Sequence, residues 1–226
     1  MTDLFTTDRR ALVGVVHLGA LPGAPRFDGN FGAILERARV DAERLAEGGA
    51  DAIIVENFGD TPFCAGSVAS ETVAAMAIAV QSVREASGGR EVGVNVLRND
   101  ARSALGICAA TGAGFLRVNV LCGAAATDQG AITGDAAALM RERMRIAPGV
   151  KVFADVHVKH ATPIGDTSLV ESAVETLERG GADAVILSGT RTGSPPSAEE
   201  LISVRERVGD QGKLQPRPRT GADRPA

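Results

Sequence analysis

The stretch Ala154-Asp-Val-His-Val-Lys-His160 places a carboxylate, two imidazoles and an amine within one short segment. His157 can move protons near neutral pH, and His157 or Asp155 is the expected acid or base. Lys159 can contact a phosphate or, if desolvated, attack a carbonyl as a Schiff-base nucleophile. Asp155 with His157, joined by Glu56 or His17, could instead hold a divalent metal, although no tight ligand motif such as HExxH occurs. The cofactor therefore stays open. His160 reads equally well as a solvent-facing residue. Asp155, His157, Lys159 and Glu56 are the expected catalytic groups. His17, Asn57, Asn95, Arg98, Asn99, Arg117, Asn119, Asp128 and Ser188 are the expected binding groups.

Most of these residues fall at the ends of short apolar runs. Strands are expected near 12–17, 51–57, 92–97, 114–120, 150–157 and 183–188, and helices over 31–47, 69–86, 100–111, 135–146, 168–179 and 197–207. Alternating strands and helices imply a parallel sheet, and in a closed barrel the loops after the strands carry the site. A doubly wound open sheet is the alternative. Period 2 puts Arg117 and Asn119 on one face, and likewise Asp155 and His157. Charges pointing outward would be buried under helices, so the barrel interior is their expected address. A structural ion-pair network there, such as Arg117 with Glu56 or Asp155, is the non-catalytic reading. Cys64 and Cys122 lie near strand-end loops without a fixed His partner, which favours inert thiols.

A helix stop, a tight Gly turn and a buried strand recur at Gly48-Gly-Ala-Asp-Ala-Ile-Ile-Val, Thr111-Gly-Ala-Gly-Phe-Leu-Arg-Val and Gly180-Gly-Ala-Asp-Ala-Val-Ile-Leu. The expected architecture is α/β, of the (β/α)8 TIM-barrel type, with six βα units over 11–208 at roughly 33 residues each. Residues 1–10 form an N-terminal segment. The run 209–226, GDQGKLQPRPRTGADRPA, has the Pro, Gly and Arg composition of a disordered tail, and its abrupt onset suggests a truncation or frameshift. His17-Leu-Gly-Ala-Leu-Pro-Gly makes a turn that could let a ligand approach the backbone. The loop 123–134 is long for a βα connection and could be a lid or substrate loop, with Asp128 and Gln129 as its ligand-reading groups.

Composition narrows the function classes. The 226 residues carry a net charge of −4 with acids and bases interspersed, which gives no basic stripe for nucleic acid and no patch for an anionic membrane. No long apolar run suggests membrane insertion. Three cysteines without CxxC spacing fit a reducing cytoplasm. Neither GxGxxG nor GxxxxGK[ST] is present. A small phosphorylated molecule is the expected partner, and self-association is left open.

The segments VGVVHLGALPGAP (13–25), GGADAIIVENFGDTPF (48–63), VGVNVLRNDA (92–101), FLRVNVLCGAAATDQG (115–130), ADVHVKHATP (154–163) and GGADAVILSGTRTG (180–193) together resemble the BtpA/SgcQ family. The resemblance implies a barrel of the ribulose-phosphate-binding type. It also implies a role in photosystem I biogenesis or near carbohydrate metabolism. The crowd of ionisable groups at one barrel mouth leads to the expectation of a sugar-phosphate isomerase, epimerase or aldolase, with a non-catalytic assembly factor as the alternative. Barrels of this type bind phosphate with amides after strands 7 and 8, and the family's Gly- and Ser-rich strand-7 segment is not found in 209–226.

Overall fold

The computed structural model describes residues 11–189 and 196–209; the segment 1–10, residues 190–195 and all of the expected tail 209–226 but Gly209 lie outside the described residues. Alternating Val and Gly make β1 (Val13–His17), and the apolar stripe beginning at Phe31 makes α1 (Phe31–Glu47). The chain continues through β2 (Ala52–Glu56), α2 (Ser70–Ala86), β3 (Glu91–Asn95), α3 (Ala101–Thr111) and β4 (Phe115–Val118). Then come β5 (Ala124–Thr127), β6 (Gly130–Thr133), α4 (Ala136–Ile146), β7 (Lys151–Val156) and β8 (Ala161–Pro163). The last three elements described are α5 (Leu169–Glu178), β9 (Ala184–Leu187) and α6 (Ala198–Gly209). Every strand and helix read from the sequence is present. The class is α/β, and the chain divides into two compact units.

The first unit comprises Leu12–Val118 and Ala137–Val152. Its strands run parallel in the order β1-β2-β3-β4, and the Lys151 amide donates to the Gly114 carbonyl at 2.9 Å. One face meets the helices. Val16, Ile53, Val55, Val92, Val94, Leu116 and Val118 on it are buried, each contributing about 1.5–3 kcal/mol relative to exposure. Small residues on α1 (Ala38, Ala42, Ala46) and α2 (Ala75, Ala79) let those helices lie close. The other face is layered by register: Val13 with Ala52 and Glu91, Val15 with Ile54 and Gly93, and His17 with Glu56 and Asn95. Phe115 pairs with Gly93, and alternation puts Arg117 in the row of Asn95. A Cβ on Gly93 would sit 2.2 Å from the Phe115 ring, so this position admits no side chain.

Among the described residues, the second unit takes Asn119–Ala136, 153–189 and 196–209. Here β7 and β9 pair in parallel, with Asp155 opposite Ile186. Ser168 and Glu171 form a capping box at the start of α5, and Ser197 and Glu200 exchange the same two bonds ahead of α6.

Two expectations need correction and one is narrowed. The segment 123–134 is not an open loop: β5 and β6 form an antiparallel hairpin, and β5 pairs on its other side with β8. Val120, Ala125, Ile132 and Val158, with Ala161 against them, give this small sheet its own apolar core. The turn after β1 is closed on the side of Gly59, where a Cβ would lie 2.4 Å from Ala20 N and Gly19 C, while Gly19 and Gly23 themselves stay exposed. Strand alternation also ends sooner than expected. β4 stops at Val118 and β7 at Val156, and His157 has φ 49°, a left-handed conformation that β-strand period 2 does not reach.

Candidate active site

In the first unit, Glu56 ends β2 and is 5% exposed, a carboxylate held away from water. The Asn95 amide donates to its Oε1 at 2.8 Å, and Arg117 Nη1 reaches the same oxygen at 3.1 Å. His17 Nε2 lies 3.4 Å from Oε2. Burial pushes the Glu56 pKa up, but His17, Arg117 and Asn95 together outweigh it and hold the carboxyl below the ordinary value. His17 is half exposed and its ring stacks on Phe58 at 4.5 Å between centroids. The expected Arg117–Glu56 pair is therefore formed, between partners in the same polar row.

Asn57, next in sequence, is spent on architecture. Its Oδ1 accepts from the Leu97 amide at 2.7 Å, and its Nδ2 donates to Asp60 Oδ2 at 3.0 Å. Asp60 Oδ1 accepts from the Leu21 amide at 2.7 Å, and burial raises the Asp60 pKa against both of these bonds. Asn57 thus ties the ends of β2 and β3 together and, through Asp60, the turn after β1. Arg98 is buried and follows a cis Leu97–Arg98 peptide; its amide donates to the Cys64 carbonyl. Asn99 is partly buried in the turn before α3, which is capped by Asp100 accepting from the Ser103 amide.

In the second unit, Asp155 is 5% exposed near the end of β7. Its Oδ2 accepts from Asn119 Nδ2 at 2.7 Å, and the Ser188 hydroxyl approaches Oδ1 at 3.4 Å. Asn119 is 3% exposed and its Oδ1 accepts no hydrogen bond. A buried acceptor left in this state costs about 1–3 kcal/mol. His157 is half buried, with Nε2 3.1 Å from Ser172 Oγ on α5. Burial pushes its imidazole below the ordinary value of 6.5, against the upward pull of the Thr167 backbone and the Glu200 carboxylate. The ring is neutral at pH 7 and can accept a proton.

A cavity of about 90 Å³ is lined by Asn119, Asp155, His157, Ser172 and Cys122 among others. A second, of about 270 Å³, is lined by His157, Lys159, His160, Ser188 and Glu200 together with Leu169 and Leu187. His157 is a wall of both. Asp155, His157, Asn119, Lys159 and Ser188 are thus brought together, whereas Asp128 is exposed in the β5–β6 turn beside Gln129. Sequence reasoning missed Ser172, whose only signal was its place one turn after a capping Ser, and Phe58, one of only seven Phe in the chain. Burial raises the Cys122 thiol and pushes Cys108 up to about 12, so both are thiols rather than thiolates at neutral pH. Among the described residues, no group of three or more His, Cys, Asp or Glu is placed to hold a metal ion. Nor is any helix among them long and apolar enough to cross a membrane.

The BtpA family model matches residues 8–212. The photosystem I biogenesis protein BtpA of Synechocystis sp. is 49% identical over 201 residues, 88% of this chain and 70% of that protein. Two solved structures are similar in fold. PhdJ bound to a substrate intermediate has a TM-score of 0.56 at 18% identity, over 95% of this chain and 61% of that one. A 2,3-dimethylmalate lyase of the PEP mutase/isocitrate lyase superfamily has 0.53 at 14%, over 88% and 64%. This chain thus spans about three fifths of the length of those enzymes, and the likeness is one of fold, to TIM-barrel-like proteins.

Proposed function

The chain belongs to the BtpA family, and from that premise we propose that it is an enzyme acting on a sugar phosphate or related carbohydrate by proton transfer, as an isomerase, epimerase or aldolase. We read its architecture as βα units of the (β/α)8 type, with the reaction at the C-terminal ends of β7 and β9. One observation carries the reading: a neutral, half-buried His157 and a buried Asp155 line the same cavity.

His157 is the acid or base. A group whose pKa lies near the working pH exchanges protons efficiently in either direction, and burial has moved this imidazole into its neutral form. Asp155 is the companion carboxylate, held by Asn119 and Ser188 so that it meets a substrate hydroxyl in a fixed position. Lys159 in the adjoining cavity supplies a positive charge for an anionic group. In the first unit, Glu56 is the remaining expected catalytic group, and its pairing with Arg117 and His17 supports a positioning role for that row.

A thermal-shift screen of sugar phosphates on the purified chain, followed by His157→Ala and Asp155→Asn, tests the proposal. Ligand-dependent stabilisation with turnover lost in both variants is the expected result. No shift with any sugar phosphate would sink it. The name of the Synechocystis relative favours a second reading, a non-catalytic biogenesis or assembly factor. Complementation separates the two, because under that reading His157→Ala and Asp155→Asn chains remain fully functional.

A further inference from the structure

The two cavities of the second unit share His157, Val158 and Ala161 as walls, but their remaining polar groups differ in kind. The smaller presents the carboxylates Asp155 and Glu175 and the Asn119 amide beside the Thr167, Ser172 and Thr176 hydroxyls, with no Lys or Arg. Asp155 is a buried carboxylate, Asn119 Oδ1 is a buried oxygen with no donor, and Asn119 Nδ2 is already committed to Asp155. An anion entering there would meet a like charge at low dielectric, whereas a hydroxyl would supply the donor that Asn119 lacks.

The larger cavity offers the cation Lys159, with the Ser188 hydroxyl and His160 as further polar groups. Its one carboxylate, Glu200, accepts from the Ser197 amide at 2.9 Å at the start of its own helix, and its charge reaches His157. At about 270 Å³ this space approaches the lower end of ligand pockets, about 300 Å³. The other, at about 90 Å³, suits an end group only.

Resting on the proton-transfer reading above, we infer that the substrate is a polyhydroxylated phosphate bound in one orientation: its hydroxyl end donates to Asn119 Oδ1 beside Asp155, its phosphate lies near Lys159, and the reacting carbon is against His157. This assigns Asn119 a substrate-binding role through a specific atom. It also fixes which end of the molecule meets the acid-base group.

Calorimetric titration of the purified chain with ribitol, ribose 5-phosphate and inorganic phosphate tests the orientation. Asn119→Leu should weaken ribitol and ribose 5-phosphate about tenfold or more while leaving inorganic phosphate within about twofold. Lys159→Met should do the reverse, weakening both phosphates about tenfold and sparing ribitol. Circular dichroism checks that each variant folds. Should Asn119→Leu fail to fold, Lys159→Met at a half-buried position still decides where the phosphate lies. Ribose 5-phosphate binding that neither variant alters, or a swapped pattern, overturns the orientation while the enzymatic reading stands. If the unaltered chain binds neither ribitol nor ribose 5-phosphate, the orientation falls, and the wider sugar-phosphate screen alone decides the enzymatic reading.

Discussion

Glu56 and Asp155 are the same device in two units: a buried carboxylate at or near a strand's end, receiving an Asn side-chain amide at 2.8 Å in one case and 2.7 Å in the other. Their surroundings diverge. Around Glu56, Arg117, Asn95 and His17 form a closed cluster whose charges answer one another. Around Asp155, the donating Asn119 keeps an oxygen unsatisfied, and the neighbouring imidazole is kept neutral beside a cavity. A closed network holds a fold, whereas an open one retains hydrogen-bonding capacity for something that arrives. On the proposed function, the difference would separate a framework carboxylate from a working one more sharply than residue type does.

The most forceful way to break the comparison is in the second unit. Asp155→Asn or His157→Ala should lower turnover by about 10²–10⁴-fold with melting temperature nearly unchanged, measured on the sugar phosphate that the thermal screen selects. In the first unit the effect should move to stability. Arg117→Met strands a carboxylate whose side chain is 7% exposed, and denaturant unfolding should show a loss on the order of 3 kcal/mol. Equal stability losses from Arg117→Met and Asp155→Asn would erase the distinction. Below that polar row, Gly93→Ala forces a methyl group into the Phe115 ring and should cost about 1–3 kcal/mol, read from the same curves.

Acid sharpens the contrast with a smaller effect. Both pKa values are lowered on folding, so each group contributes stability above its unfolded value, lost as pH falls through its folded one. For His157 the loss begins below about 6.5, and for Glu56 below about 4.5. His157→Gln should remove the upper part of the stability–pH curve and Glu56→Gln the lower part. Smallest of all, Asp128→Ala in the exposed hairpin turn should change stability by less than about 0.5 kcal/mol and leave ligand binding intact.

How much of this was legible in the sequence follows from the kind of signal each feature leaves. The stripe from Phe31 and the glycines after Glu47 give α1 its bounds to the residue, because helical period and a C-terminal stop are local properties. The Val- and Ile-rich strands are equally plain. The hairpin β5–β6 was hidden, since Ala124-Ala-Ala-Thr and Gly130-Ala-Ile-Thr lack the β-branched runs that mark a strand, and only Ala125 and Ile132 are buried. The grouping of Glu56 with Arg117 could be suspected from strand-end spacing. The structural use of Asn57 could not, because it is anchored on the Leu97 backbone and, through Asp60, on the Leu21 amide, groups that no side-chain pattern advertises. Nor does sequence reveal that His157 leaves the strand path, since no glycine or asparagine marks its positive φ.

The His17–Phe58 stack has an optical consequence. The chain contains neither Trp nor Tyr, so it has no indole or phenol of its own to emit in the near ultraviolet. Phe58→Trp would install a single fluorophore whose ring lies over an imidazole, and a protonated imidazole quenches indole emission. Its emission would then report on the stack itself, with no indole or phenol background from elsewhere in the molecule.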